Sequence, residues 1–125
     1  MPYALELPPM VHSDIPTLPV ECFGFFVTTP GVDALLSPET IKLLIDKHMT
    51  NRWGDIDKGD AMANEAVVRS VASGFDGFHG RIMSVYNLPL QGNQKVWVIT
   101  YPQSDPKLQQ DADHCNTCVM LPTEY

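Results

Sequence analysis

The chain is short of positive charge. Of its 125 residues only eight are Lys or Arg, and they are scattered, against fifteen Asp and Glu, for a net charge of −7. Nucleic-acid binding wants a stripe of cations to neutralise phosphates, so direct contact with DNA or RNA is not expected. A basic protein partner remains open, including one whose own ligand is a nucleic acid. Long apolar runs are also missing: none approaches the roughly 18 residues that span a bilayer. Met1 to Glu6 has neither the basic residue nor the apolar stretch of a secretory signal. A cytoplasmic protein with no membrane partner is therefore expected. Cysteine is scarce and odd in number, at Cys22, Cys115 and Cys118, which fits a reducing compartment. One Cys115-x-x-Cys118 pair behind His114 falls short of the four ligands of a structural zinc site, so no metal and no cofactor is expected. A phosphate-cradling loop is absent as well, because Gly74, Gly77 and Gly80 lack the Lys and the helix that should follow. No spacing brings His12, His48, His79 or His114 to a nucleophile such as Ser84.

What is present suits one folded domain. Hydrophobic residues make up 44% of the chain, ordinary for a globular protein of this length. Residues 1–21 hold five of the eleven prolines and read as an extended arm, because proline removes donors and fixes φ. Residues 22–125 read as one domain. Cys22 to Thr29 is aromatic and β-branched and predicts a first strand. A short helical turn over Val32 to Leu36 follows. Ser37 and Pro38 then supply the N-cap and first position of a helix whose apolar face carries Ile41, Leu44 and Ile45. His48, near its C-terminal end, reads as a boundary residue that favours the helix dipole.

The stretch from Asn51 to Asn64 joins the helical half to the strand half. Trp53 predicts an apolar anchor, Gly54 a turn, and Asp57 the N-cap of a second helix over 58–72. Asp55, Asp57, Asp60 and Asn64 are oxygen ligands of the kind hard cations prefer, but the spacing lacks the pattern and closing Glu of a calcium loop. Arg81 to Tyr86 predicts a strand with Ile82, Ser84 and Tyr86 on one face and Arg81, Met83 and Val85 on the other. Lys95 to Tyr101 is nearly all apolar and predicts a central strand; Asn116 to Leu121 predicts the last. Strand, helices and a three-stranded meander give an α+β fold, an antiparallel sheet of about four strands with two to three helices packed on one face.

With these elements placed, an ordered set of short strings stands out. Thr29-Pro30-Gly31 is followed by a helix ending in His48, then Trp53-Gly54-Asp55 and Asn64. Gly80-Arg81-Ile82-Met83-Ser84-Val85-Tyr86, Val96-Trp97-Val98-Ile99-Thr100 and Leu121-Pro122-Thr123-Glu124-Tyr125 complete it. The set, over residues 23–125, resembles a family of small plasmid-related proteins of mobile elements. The chain departs from that pattern by inserting Ser73–His79 and by extending the loop from Gln103 to Asn116. The resemblance implies work against a host protein, as in small anti-CRISPR and other anti-defence factors, and fixes no chemistry.

The functional expectation is therefore a non-enzymatic mobile-element protein that binds and inhibits a host protein, with a nucleic-acid-binding defence protein as one candidate class. Its contacts are expected at Phe75, Phe78 and His79, in a glycine-broken loop, and at Asp111 and Asp113. Buried aromatics carry much of the energy of such interfaces. The alternative is a small enzyme acting on a nucleotide-like or other small substrate in a pocket of Trp53, Asp55, Arg81, Ser84 and Tyr86. In the structural version of that alternative, Arg81 forks onto Asp55 or Glu124 and fixes the fold. The proline-rich arm makes a homodimer an additional possibility.

Overall fold

The computed structural model describes residues 15–73, 80–89, 93–101 and 117–125. Within them the chain is α+β. A 3-10 turn over Val20–Phe23 leads to β1 (Phe26–Thr28), α1 (Pro30–Leu35), α2 (Pro38–Met49) and α3 (Lys58–Ala72). Strands β2 (Ile82–Leu88), β3 (Gln94–Thr100) and β4 (Thr117–Met120) follow, and a 3-10 turn over Pro122–Glu124 comes last. The strands form one sheet in the order β1-β4-β3-β2. Three of them make the expected antiparallel meander, with Ser84 opposite Val98 and Val98 opposite Val119. The sheet is mixed rather than wholly antiparallel, because β1 runs parallel to β4 with Val27 opposite Cys118. The helical layer lies between β1 and β2 in sequence, so β1 can join the far side of the meander instead of extending it.

Local chemistry sets the element limits. In α2 the Ser37 hydroxyl accepts from Thr40 N–H at 3.2 Å, with Pro38 next to the cap. In α3 the Asp57 carboxylate accepts from Asp60 N–H at 2.7 Å. Both are side-chain caps that satisfy orphan helix donors. The first strand is shorter than its composition suggests. Gly24 has φ of 65°, which breaks the extended run between the Val20–Phe23 turn and β1.

One face of the sheet packs against the helices. Ile82, Ser84 and Tyr86 of β2, Val96, Val98 and Thr100 of β3, and Thr117 and Val119 of β4 are all buried on it. Two apolar clusters fill that space. One joins Phe23, Trp53, Val67, Val68 and Ile82 to Ile15 and Leu18, so the proline-rich segment contributes to the core from Ile15 onward. The other joins Val32, Leu36 and Leu44 to Tyr86, Val96, Val98 and Val119. Full burial of one such aliphatic side chain stabilises by about 1.5–3 kcal/mol. Ser84 lies between Ile82 of the first cluster and Tyr86 of the second, on the same strand face. The seam between the clusters is polar.

Candidate functional site

At that seam sits His48. It is fully buried, as are Ser84, Thr100 and Thr117. Its Nδ1 lies 2.6 Å from Ser84 Oγ and its Nε2 lies 2.8 Å from Thr100 Oγ1. Thr100 Oγ1 is 2.8 Å from Thr117 Oγ1, which donates to Phe23 O at 2.6 Å. A carbonyl only accepts, and this fixes the direction of the whole chain. Thr117 spends its proton on Phe23 O, so Thr100 donates to Thr117. His48 Nε2–H then donates to Thr100, and unprotonated Nδ1 accepts from Ser84. Burial pushes the imidazole pKa down from 6.5 to about 3, so the ring is held neutral in one tautomer.

A Ser–His contact of this length is what nucleophilic catalysis uses. Here the distal nitrogen meets a threonine rather than a carboxylate, and both partners have no exposed surface. The contact ties α2 to β2 and β3. His48 is thus a core residue rather than the boundary residue expected from the helix dipole. Its signal was present in the spacing: Ile41, Leu44, Ile45 and His48 share one helical face, and Ser84, Thr100 and Thr117 are polar residues on a strand face that is otherwise apolar.

The Trp53-Gly54-Asp55 string straps onto the outer edge of β2. Val85 N–H donates to Trp53 O at 3.0 Å, and Asp55 N–H donates to Val85 O at 2.7 Å. Gly54 has φ of 74°, and a Cβ there would lie 2.1 Å from Val85 O. One position along the same edge, Asn64 of α3 makes a two-way fork. Its Nδ2 donates to Met83 O at 2.8 Å and its Oδ1 accepts from Met83 N–H at 3.0 Å. Tyr86 donates its phenol to Arg52 O at 2.7 Å, and burial raises its pKa above the usual phenol range.

The last string does similar work at the other end of the sheet. Glu124 accepts from Thr29 Oγ1, from Gly31 N–H at 2.9 Å and from Leu121 N–H at 3.1 Å. It caps α1 from the far end of the described chain. The Thr29 hydroxyl bond first, with the Gly31 and Leu121 amides, holds its pKa below the usual carboxylate value against the opposing effect of burial. A Cβ at Gly31 would approach Glu124 Oε1 to 2.7 Å.

The five residues of the sequence-predicted pocket are therefore spread over different environments. Trp53, Ser84 and Tyr86 are buried, while Asp55 and Arg81 are exposed. Arg81 donates to Met83 Sδ. Its expected fork onto Asp55 or Glu124 is not made: Glu124 lies at the other end of the sheet, bound to Thr29, Gly31 and Leu121, and Asp55 meets the β2 edge through its backbone N–H. Arg81 and Gly80 line a cleft of about 220 Å³ with α3 residues between Asp60 and Val67, and that cleft includes none of the other four. It is smaller than the roughly 300–1,000 Å³ of typical small-ligand sites. Among the described residues no group of three or more His, Cys, Asp or Glu could hold a metal. Asp57 instead caps α3 and Asn64 faces Met83. Among the described residues, too, no helix is long and apolar enough to cross a membrane. Phe75, Phe78, His79, Asp111, Asp113, His114 and Cys115 lie outside the described residues. Comparison of the chain with protein families, with characterised proteins and with solved structures finds no match.

Proposed function

We propose that this is a non-enzymatic binding protein that docks on a host protein and inhibits it, in the mobile-element and anti-defence setting implied by the plasmid-related resemblance. One observation carries the reading. The polar side chains best suited to chemistry, His48, Ser84, Thr100 and Tyr86, are consumed inside the scaffold, while Phe25, Phe26, Val27, Tyr101 and Tyr125 are left exposed. Exposed aromatics serve recognition better than catalysis. A net charge of −7 favours a basic partner.

The test is capture of the tagged protein from host lysate, with bound proteins and small molecules identified by mass spectrometry. A stoichiometric protein released by salt is the expected result. The Phe75→Ala, Phe78→Ala double variant should lose that protein while keeping its melting temperature. A bound metabolite without a protein, with turnover lost in a folded Arg81→Ala variant, would overturn the reading in favour of a small enzyme.

A further inference from the structure

The two edges of the sheet are finished differently. On the outer side of β2, Asn64 satisfies both backbone groups of Met83, and Trp53 and Asp55 satisfy both groups of Val85. That edge is closed at both of these residues. On β1, Thr117 N–H donates to Phe25 O at 3.0 Å and Thr29 N–H donates to Val119 O at 3.1 Å. The odd-numbered residues therefore face β4, and strand alternation turns the N–H and C=O groups of Phe26 and Thr28 outward. Among the described residues no strand pairs with that side. Phe25, Phe26 and Val27 are 38%, 38% and 41% exposed. Unprotected edges template the addition of another strand, and proteins usually blunt them with Lys, Pro or bulges. Apart from its three-residue length, the strand carries none of these, whereas the opposite edge is covered at Met83 and Val85.

Charge narrows the occupant. The first 41 residues contain no Lys or Arg. Among the described residues, the acidic side chains hydrogen-bonded at this end of the sheet are Asp33, which accepts from Thr28 Oγ1, and Glu124, which accepts from Thr29 Oγ1 and Gly31 N–H. A second copy would set these carboxylates against their own counterparts, with −7 on each chain. A cationic strand would meet them favourably. Resting on the reading of a host-protein binder, we propose that the outer edge of β1 is its docking site for an extended basic segment of the partner. The segment adds as a strand through the backbone groups of Phe26 and Thr28. Its apolar side chains lie beside Val27 on one face of the sheet, and its Lys or Arg side chains lie on the other, beside Phe26 and Thr28 and near Asp33. Main-chain bonds supply affinity and alternate side chains supply specificity in this mode of recognition.

The probe is an acetylated, amidated peptide of alternating Lys and Val, titrated into the full-length isotope-labelled chain by NMR. The Phe26 and Thr28 amides should become protected from exchange, with Val85 and Met83 unchanged. Phe26→Pro removes one outward N–H at an edge position that tolerates proline, and should weaken the peptide about ten-fold or more. Asp33→Lys should weaken it without touching the edge, which keeps the test valid if the proline variant fails to fold. Equal binding of an alternating Glu and Val peptide, or protection at β2, would overturn the assignment. So would protection of Phe26 and Thr28 by raised protein concentration alone, since a second copy would then be the occupant. If the unmodified chain captures a host protein and Phe26→Pro captures it equally well, the β1 assignment falls and the binding reading stands. If the Lys–Val peptide docks on β1 but no host protein is captured, the edge assignment stands and the host reading falls.

Discussion

At the scale of single residues, two positions carry more than their chemistry suggests. Gly54 combines a left-handed φ of 74° with a Cβ direction that ends 2.1 Å from Val85 O. Gly54→Ala must move the strap off β2, and should cost about 3 kcal/mol or more, read by urea unfolding. His48 makes stability depend on pH. Its folded pKa, about 3, lies below the 6.5 of an unfolded imidazole. As pH falls below 6.5 the unfolded chain takes up a proton that the folded chain refuses. The stabilisation is complete above pH 6.5 and is lost at about 1.4 kcal/mol per pH unit on the way down. Glu124, also lowered, works in the same direction but only below the ordinary carboxylate range, so the window from pH 6.5 to 5 belongs to His48. Unfolding free energies at pH 7 and pH 5 should therefore differ in the natural chain and converge in His48→Gln. Gly54 was legible in the sequence as a turn. The burial of His48 was legible only in part: the spacing put it on the apolar face of α2, but one histidine near a helix end fits the dipole equally well until its hydroxyl partners, Ser84 and Thr100, are brought up from 36 and 52 residues away.

At the scale of elements, caps and strand faces were readable and long-range stitches were not. Ser37, Pro38 and Asp57 act within four residues of themselves, so the starts of α2 and α3 stand where the sequence puts them. The alternation likewise put Ile82, Ser84 and Tyr86 on one face of β2, and the structure shows that face to be the inward one. Asn64 and Glu124 look like an ordinary helix residue and an ordinary C-terminal carboxylate, and only the folded chain reveals that one closes a strand edge and the other caps a helix. Asn64→Ala should leave both Met83 backbone groups without their partner, at a cost of about 1–3 kcal/mol. Hydrogen exchange at Met83 should speed up selectively, with the amides of β4 unaffected. Asn64→Asp keeps the acceptor for Met83 N–H and loses the donor, so it should fall between the two. Equal exchange at Met83 in all three proteins would show that the fork does not seal the edge.

At the scale of the whole molecule, the sequence foretold an α+β chain with helices on one face, and the antiparallel meander of β2, β3 and β4. It did not foretell the parallel seat of β1, because pairing between Phe26 and Thr117 spans more than ninety residues and no local pattern encodes it. That pairing makes the fold depend on its two ends. A fragment of residues 1–116 lacks β4, and with it the neighbour of both β1 and β3. It should show no cooperative thermal transition by circular dichroism, and a synthetic 117–125 peptide should restore one. A cooperative transition in the fragment alone would mean that the two apolar clusters suffice without the closing strand.

The Glu124 clasp on Thr29 and Gly31 also bears on how the protein is made. A ribosome releases the chain from its N-terminal side, so β1 and α1 emerge long before the strand that flanks them and the carboxylate that caps them. Until residue 124 is free of the exit tunnel, Phe25, Phe26 and Val27 have no sheet to join. The N-terminal strand and helix of this domain therefore reach their native pairing only once β4 and Glu124 have emerged as well.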